Sequence, residues 1–214
     1  MRITIVVEPT SWQVDHAGDL LVRLGEKHDV VLVSSYEEIE PSELTFLLGC
    51  TRIAGVDVLA RSAHTLVVHQ SDLPRGRGWS PLAWQILEGR SEIPVCLFEA
   101  VEGLDEGPVY FRDVITFEGH ELVDELRKAQ AASAADLCAR FVEAYPNVTP
   151  EPQVGIPTYY PRRTPESARL DVDASLAEQF DLLRISDNER YPAFFDLRGH
   201  RYELRITKAG TSTP

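Results

Sequence analysis

The chain is poor in several features that would quickly narrow its chemistry. Its 214 residues include three cysteines, Cys50, Cys96 and Cys138, far apart and with no Cys-x-x-Cys pair, so the sequence offers no zinc site. A sparse, odd set of thiols fits a reducing compartment, and Cys50 and Cys96 sit in apolar runs as buried thiols do. No apolar run reaches the roughly 18 residues of a membrane span. The start, MRITIVVEP, is too short and polar-flanked for a secretory signal. A cytoplasmic protein is therefore expected. Positive charge is also scarce: 21 Lys and Arg against 34 Asp and Glu give a formal net charge of −13. That argues against a general nucleic-acid or anionic-membrane binder, whose footprint is basic. It leaves room for a local basic site at Arg75 and Arg77.

What remains is ordinary globular composition, 43% apolar and 26% charged, in a chain long enough to bury a core without staples. Arg2–Val7 is a β-branched run and reads as a buried strand. Gln13–His28 places Val14, Ala17, Leu20, Leu21 and Leu24 on one helical face. Val30–Val33, Thr45–Gly49 and Thr65–Val68 read as strands, with one or two helical turns at Val56–Arg61. Ser80-Pro81 before Leu82, Ala83, Ile86 and Leu87 predicts a capped amphipathic helix that Gly89 ends. Ile93–Phe98 and Gly107–Phe117 are further strands, and Glu118–Tyr145 a long helix. The expected fold is α/β: a Rossmann-like, mostly parallel sheet flanked by helices. Five prolines within Pro146–Pro161 mark a surface linker. Beyond it, a helix (Ala174–Leu183) and a hairpin of Ala193–Leu197 and Arg201–Ile206 predict a small C-terminal α+β subdomain over 162–208, leaving 1–145 as the main domain.

Residues 64–107 carry the chemistry. His69 follows the run Leu66-Val67-Val68, a Pro/Gly/Arg turn and the capped helix come next, and Asp105 lies thirty-six residues later in a glycine-flanked loop. Histidine exchanges protons near neutral pH, and a carboxylate beside it fixes the ring and raises its basicity. Open parallel sheets bind ligands beyond the carboxyl ends of their strands, and both residues are expected there. Each residue alone also reads as an ordinary loop residue, and PRGRG as a plain turn.

The residues from His69 onward resemble the formyltransferases that use N10-formyltetrahydrofolate, whose pattern is roughly N-x-H-x-S-x-L-P-x-x-R-G-x-x-P followed by a D-x-G loop. His69, Ser71, Leu73-Pro74, Arg77-Gly78 and Pro81 fall in register, as do Asp105 and Gly107. The resemblance covers about 1–145. TYYPRRTPESARLD (158–171) and LLRISDNERYPAFF (182–195) resemble the tail of sugar N-formyltransferases of bacterial aminosugar pathways. One position departs: Val67 stands where the family has an asparagine, and the chain's only asparagines are Asn147 and Asn188. Ser71, a backbone N–H, an ordered water or protonated His69 would have to replace that amide; Asn188 would serve only if the tail folds over the site.

The resemblance implies formyl transfer from N10-formyltetrahydrofolate to the amine of a nucleotide-linked aminosugar, with His69 as acid/base and Asp105 orienting it. It implies cofactor contacts at Cys50, Thr51, Arg52 and Ile53 and at Ala100, Val101, Gly103 and Leu104. Acceptor contacts are expected at Ser71, Arg75, Arg77, Gly78, Trp12 and Tyr160. Tyr159, Tyr160 and Arg162-Arg163 either meet a nucleotide diphosphate or pack the tail onto the core. Trp79 and Trp84 read as core or cleft wall. No metal, nucleic-acid or membrane partner is expected, and a homodimer is. The alternatives are an amino acid or other small amine as acceptor, water as acceptor, or folate binding without catalysis.

Overall fold

Alternation along the first strands decides how the core divides. In strand β1 (Arg2–Val7), Ile3, Ile5 and Val7 point into one apolar layer and Val6 into another; in β3 (Ser42–Leu48), Leu44, Phe46 and Leu48 share the first layer and Leu47 the second. Both faces are buried because helices cover both. Helices α1 (Val14–Gly25), α3 (Pro81–Leu87) and α4 (Val123–Ala144) close the larger layer. The short helix α2 (Val56–Leu59), with Tyr36 and Ile39, closes the smaller one. The computed structural model describes residues 1–210.

Six strands form the sheet: β2 (Asp29–Val33), β1, β3, β4 (Ser62–His69), β6 (Glu92–Glu99) and β7 (Val109–Thr116), in that order. The first four are mutually parallel; β6 runs antiparallel to β4, and β7 antiparallel to β6. Between β4 and β6 the chain passes through a two-residue strand, β5 (Arg77–Gly78), and α3, and enters β6 from the edge where β4 ended.

The proline-rich segment is not a loose linker. Glu151 and Val109 exchange both backbone hydrogen bonds at 2.8 Å, and β8 (Tyr159–Tyr160) pairs in parallel with β5 (Arg77–Gly78). The predicted helix 174–183 shrinks to α5 (Phe180–Arg184), because Ser175 and Gln179 spend their side chains on local turn contacts. The hairpin of β9 (Ala193–Leu197) and β10 (His200–Leu204) turns at Arg198 and Gly199, both at positive φ, the turn that matches strand twist. Likewise, α1 and α4 start later than expected, since Ser11 and Glu125 cap the preceding turns. No helix among the described residues is long and apolar enough to cross a membrane.

Candidate active site

His69 ends β4 and lies level with Cys96 in the middle of β6. The end of β6 lies elsewhere: Ala100 N–H donates to the Thr65 carbonyl, four residues back along β4. The expectation that Asp105 follows a carboxyl end on the same edge as His69 is therefore corrected. The 100–108 loop folds back over the face that carries Val67 and Phe98, and this return brings Asp105 to the histidine. At the base of the loop, a side chain on Gly107 would begin 1.6 Å from the Glu99 carbonyl, so only glycine allows the turn.

Asp105 Oδ2 lies 3.7 Å from His69 Nε2 and accepts the Gly78 N–H at 2.8 Å. His69 Nε2 is 2.8 Å from the Gly76 carbonyl. A carbonyl only accepts, so Nε2 carries the hydrogen and Nδ1 of the neutral ring holds the lone pair. Nδ1 has no protein partner among the described residues and is not sealed in. The His69 side chain is 9% exposed. A proton taken up at Nδ1 would leave an imidazolium with the Gly76 carbonyl and the Asp105 carboxylate on its other side.

The Asp105 loop is held from several sides. Asp105 sits at φ 51°, a costly conformation that persists where neighbours over-determine it. Gln153 donates to the carbonyls of Asp105 and Gly107, both at 2.8 Å, and accepts from Arg77 at 2.8 Å. Arg77 also reaches Glu106 at 2.8 Å. Gly78, at φ 99°, has no room for a side chain, because its Cβ would lie 2.5 Å from the Tyr160 carbonyl.

A cleft of about 480 Å³ opens at this edge and wraps from one sheet face to the other. Both implied cofactor stretches line it: Cys50, Thr51, Arg52 and Ile53 on one side, Ala100, Val101, Gly103 and Leu104 above the face of Val67 and Phe98. Glu8 receives both the backbone N–H and the hydroxyl of Thr51, which fixes the first stretch. Burial pushes the half-buried Cys50 thiol up to about 12, so it stays protonated. Trp12, Gly78 and Trp79 also line the cleft.

Four expected acceptor contacts are placed elsewhere. Ser71 is buried off the cleft with its hydroxyl unpaired among the described residues, so it does not replace the missing amide. Arg75 is exposed on the turn. Arg77 is spent on Glu106 and Gln153. Tyr160 stacks on Trp84 at 7° and donates to Glu88, which packs the tail onto α3. Ser80 precedes α3 as expected but makes no side-chain cap bond. Val67 faces the cleft as an apolar wall, and Asn188 is fully used pinning Ile206.

Several cleft residues were missed by sequence reasoning. Gln70 lines the cleft with its side chain unpartnered among the described residues, while its backbone carbonyl accepts from Gln85. Its adjacency to His69 was the available signal. The tail does fold over the site: Arg190 donates to the Thr10 carbonyl, and Asp187 pairs with Arg127 at 2.7 Å. Burial alone would raise the Asp187 carboxyl, but the N–H groups of Arg190 and Glu189 and the Arg127 guanidinium hold it below the usual range. Arg163, named from the sequence together with Arg162, lines the cleft as well, and burial lowers its guanidinium.

A histidine–carboxylate pair in the edge cleft of a mixed α/β sheet is an arrangement able to move protons. The chain belongs to the formyl transferase family, whose pattern matches residues 13–141. Methionyl-tRNA formyltransferase of Cutibacterium acnes is 29% identical over 200 residues, 90% of this chain and 61% of that protein. The chain spans about three-fifths of that relative, and 40% and 50% of two others, the methionyl-tRNA formyltransferases of Dinoroseobacter shibae and Rickettsia africae. The fold is shared with methionyl-tRNA formyltransferase from Clostridium thermocellum (TM-score 0.81, 23% identity, 99% of this chain and 95% of that one). It is shared too with a likely sugar N-formyltransferase from Mycobacterium tuberculosis (TM-score 0.74, 16%, 100% and 99%). HypX from Aquifex aeolicus, solved with tetrahydrofolic acid, matches with TM-score 0.75 at 20% identity, over 96% of this chain and 37% of that one.

Proposed function

We propose that the chain transfers a formyl group from N10-formyltetrahydrofolate to a primary amine on a nucleotide-linked aminosugar. The observation that carries this reading is the His69–Asp105 approach at the centre of a cleft that both implied cofactor stretches line. The fit to folate rests on the same cleft: its volume suits a ligand of that size, and its loops at 50–53 and 100–104 offer backbone groups at the mouth. When bound, the folate supplies a formyl carbon activated for attack by an amine.

His69 Nδ1 takes the proton that the acceptor amine must lose, and the ring passes it on toward the leaving side. Asp105 and the Gly76 carbonyl hold the ring and stabilise its charge. Gln70, a lining residue next to His69 whose side chain has no partner among the described residues, is the candidate donor to the formyl oxygen, the role that Val67 cannot fill. Val67, Phe98 and Trp79 exclude water around these groups.

A second acceptor, methionyl-tRNA, is favoured by the names of the relatives, but the net charge of −13 counts against it. Incubation with N10-formyltetrahydrofolate and a panel of nucleotide-linked aminosugars, amino acids and methionyl-tRNA, read by mass spectrometry, tests the reading. Formamide on an aminosugar supports it; formamide only on tRNA or an amino acid, or only free formate, overturns the acceptor.

A further inference from the structure

Away from the cleft, one carboxylate gathers three partners where the chain leaves the sheet. Glu99 is the last residue of β6, and its side chain is 21% exposed. Its Oε1 accepts the Thr65 N–H at 2.9 Å, and its Oε2 accepts the Tyr110 hydroxyl at 2.7 Å. His64 Nδ1 lies 2.9 Å from the same Oε2. A carboxylate only accepts, so Nδ1 carries the hydrogen there. Burial and the bond to Glu99 raise the Tyr110 phenol, which keeps it a donor. The His64 ring meets Tyr110, Phe141 and Tyr145 edge-on, at centroid distances of 6.2, 6.0 and 5.6 Å. One side chain thus ties β4 to β7 across the end of β6, with α4 packed behind.

The main chain of the same residue is the root of the Asp105 loop. Glu99 N–H donates to the Pro108 carbonyl at 2.9 Å, where the loop returns. The next residue, Ala100, donates to the Thr65 carbonyl at 2.7 Å, where the loop departs. Both ends of the loop therefore meet at Glu99. Leu66 is the partner of Glu99 and His69 of Cys96, so this root lies three residue pairs, about 10 Å, from the histidine. Leu66 and Leu97 belong to the larger apolar layer, which puts the Glu99 carboxylate on the face opposite to the one the loop covers. Glu99, His64 and Tyr110 do not line the cleft.

We propose that Glu99 is a positioning residue for formyl transfer: held by Thr65, Tyr110 and His64, its carboxylate fixes the root of the 100–108 loop and so sets the approach of Asp105 to His69. Asp105 Oδ2 stands 3.7 Å from Nε2 on a backbone at φ 51°, a conformation that persists only while its surroundings are fixed. Gln153 holds the loop at Asp105 and Gly107; Glu99 holds it from behind the sheet. Thr65 joins the two levels of that hold, because its N–H serves the Glu99 side chain and its carbonyl accepts from Ala100. Releasing the carboxylate frees the first residue of the loop as well. The inference rests on the formyl-transfer reading for what Asp105 does; the clamp itself does not.

Amide hydrogen exchange of the whole chain, read peptide by peptide, and formyl-transfer kinetics with the amine acceptor identified by mass spectrometry test it in Glu99→Ala, Glu99→Gln and Tyr110→Phe. In Glu99→Ala the amides of 100–108 exchange about tenfold faster or more, while those of β1 and β3 keep their wild-type rates. Its kcat falls about tenfold and the acceptor KM stays within about twofold, since no acceptor contact is lost. Glu99→Gln keeps an acceptor for the Thr65 N–H and offers a donor to neutral His64, and it returns both readouts to within about threefold of wild type. Tyr110→Phe removes one bond and raises loop exchange by about threefold. Unchanged loop exchange in Glu99→Ala, or in Tyr110→Phe where the alanine variant does not fold, overturns the proposal. So does faster exchange spread evenly over the sheet, or a loosened loop with wild-type kcat. A wild-type chain that transfers no formyl group to any amine overturns the formyl-transfer reading, and with it the catalytic role of Glu99, while loop exchange alone decides the clamp.

Discussion

Gln153 donates its side-chain amide to the main-chain carbonyl of Asp105 at 2.8 Å, so a residue of the proline-rich segment holds the loop that faces His69. The same amide reaches Gly107, and Arg77 anchors its oxygen. Replacing it with methionine removes three hydrogen bonds and keeps the volume. Gln153→Met should cost about 2 kcal/mol of stability. Turnover should fall about tenfold while the affinity for 5-formyltetrahydrofolate holds, because what is lost is the aim of Asp105. Urea unfolding and steady-state kinetics check this; a loss of stability with unchanged turnover would make Gln153 a packing residue only.

Gln70 and Val67 form a second test. If the Gln70 carboxamide serves the formyl oxygen, Gln70→Ala should lower turnover by about 10², the usual cost of one such donor. Adding Val67→Asn to that variant should recover part of the rate, since Val67 lies on the same face as His69 and its side chain already lines the cleft. Wild-type turnover in Gln70→Ala would assign the donor elsewhere.

Asp187 ties the tail to α4 through Arg127. Its carboxyl is held below the usual range, so its contribution to stability is present above the unfolded value of about 3.9 and is lost as pH falls through the lower folded value. Asp187→Asn should therefore cost about 2 kcal/mol near pH 7 and progressively less in acid below about pH 4. Denaturant melts of both proteins across that range measure it; a cost independent of pH would mean that the ion pair is not the source.

The fold was legible wherever one periodicity dominated. The apolar strands β1, β3 and β4 and the face of α4 follow directly from their patterns. Strand direction was not legible, because β4 and β6 both have largely apolar sequences and neither pattern records which way the strand runs. In the site, His69 and Asp105 were visible through fixed spacing around glycines that admit no side chain. Asp187 and Gln153 were hidden because their contacts depend on a distant segment returning to the cleft, which no local pattern records. Arg77 was misjudged for the related reason that its partners, Glu106 and Gln153, lie 29 and 76 residues away.

The central claim is that His69 moves the proton and Asp105 holds the ring that does so. Single-turnover formyl transfer, followed in the wild type, His69→Asn and Asp105→Asn with folate binding measured in parallel, tests it most directly. The account predicts losses of about 10³ or more in His69→Asn and about 10² or more in Asp105→Asn, with folded proteins and folate affinity retained. Near wild-type turnover in either variant would contradict it.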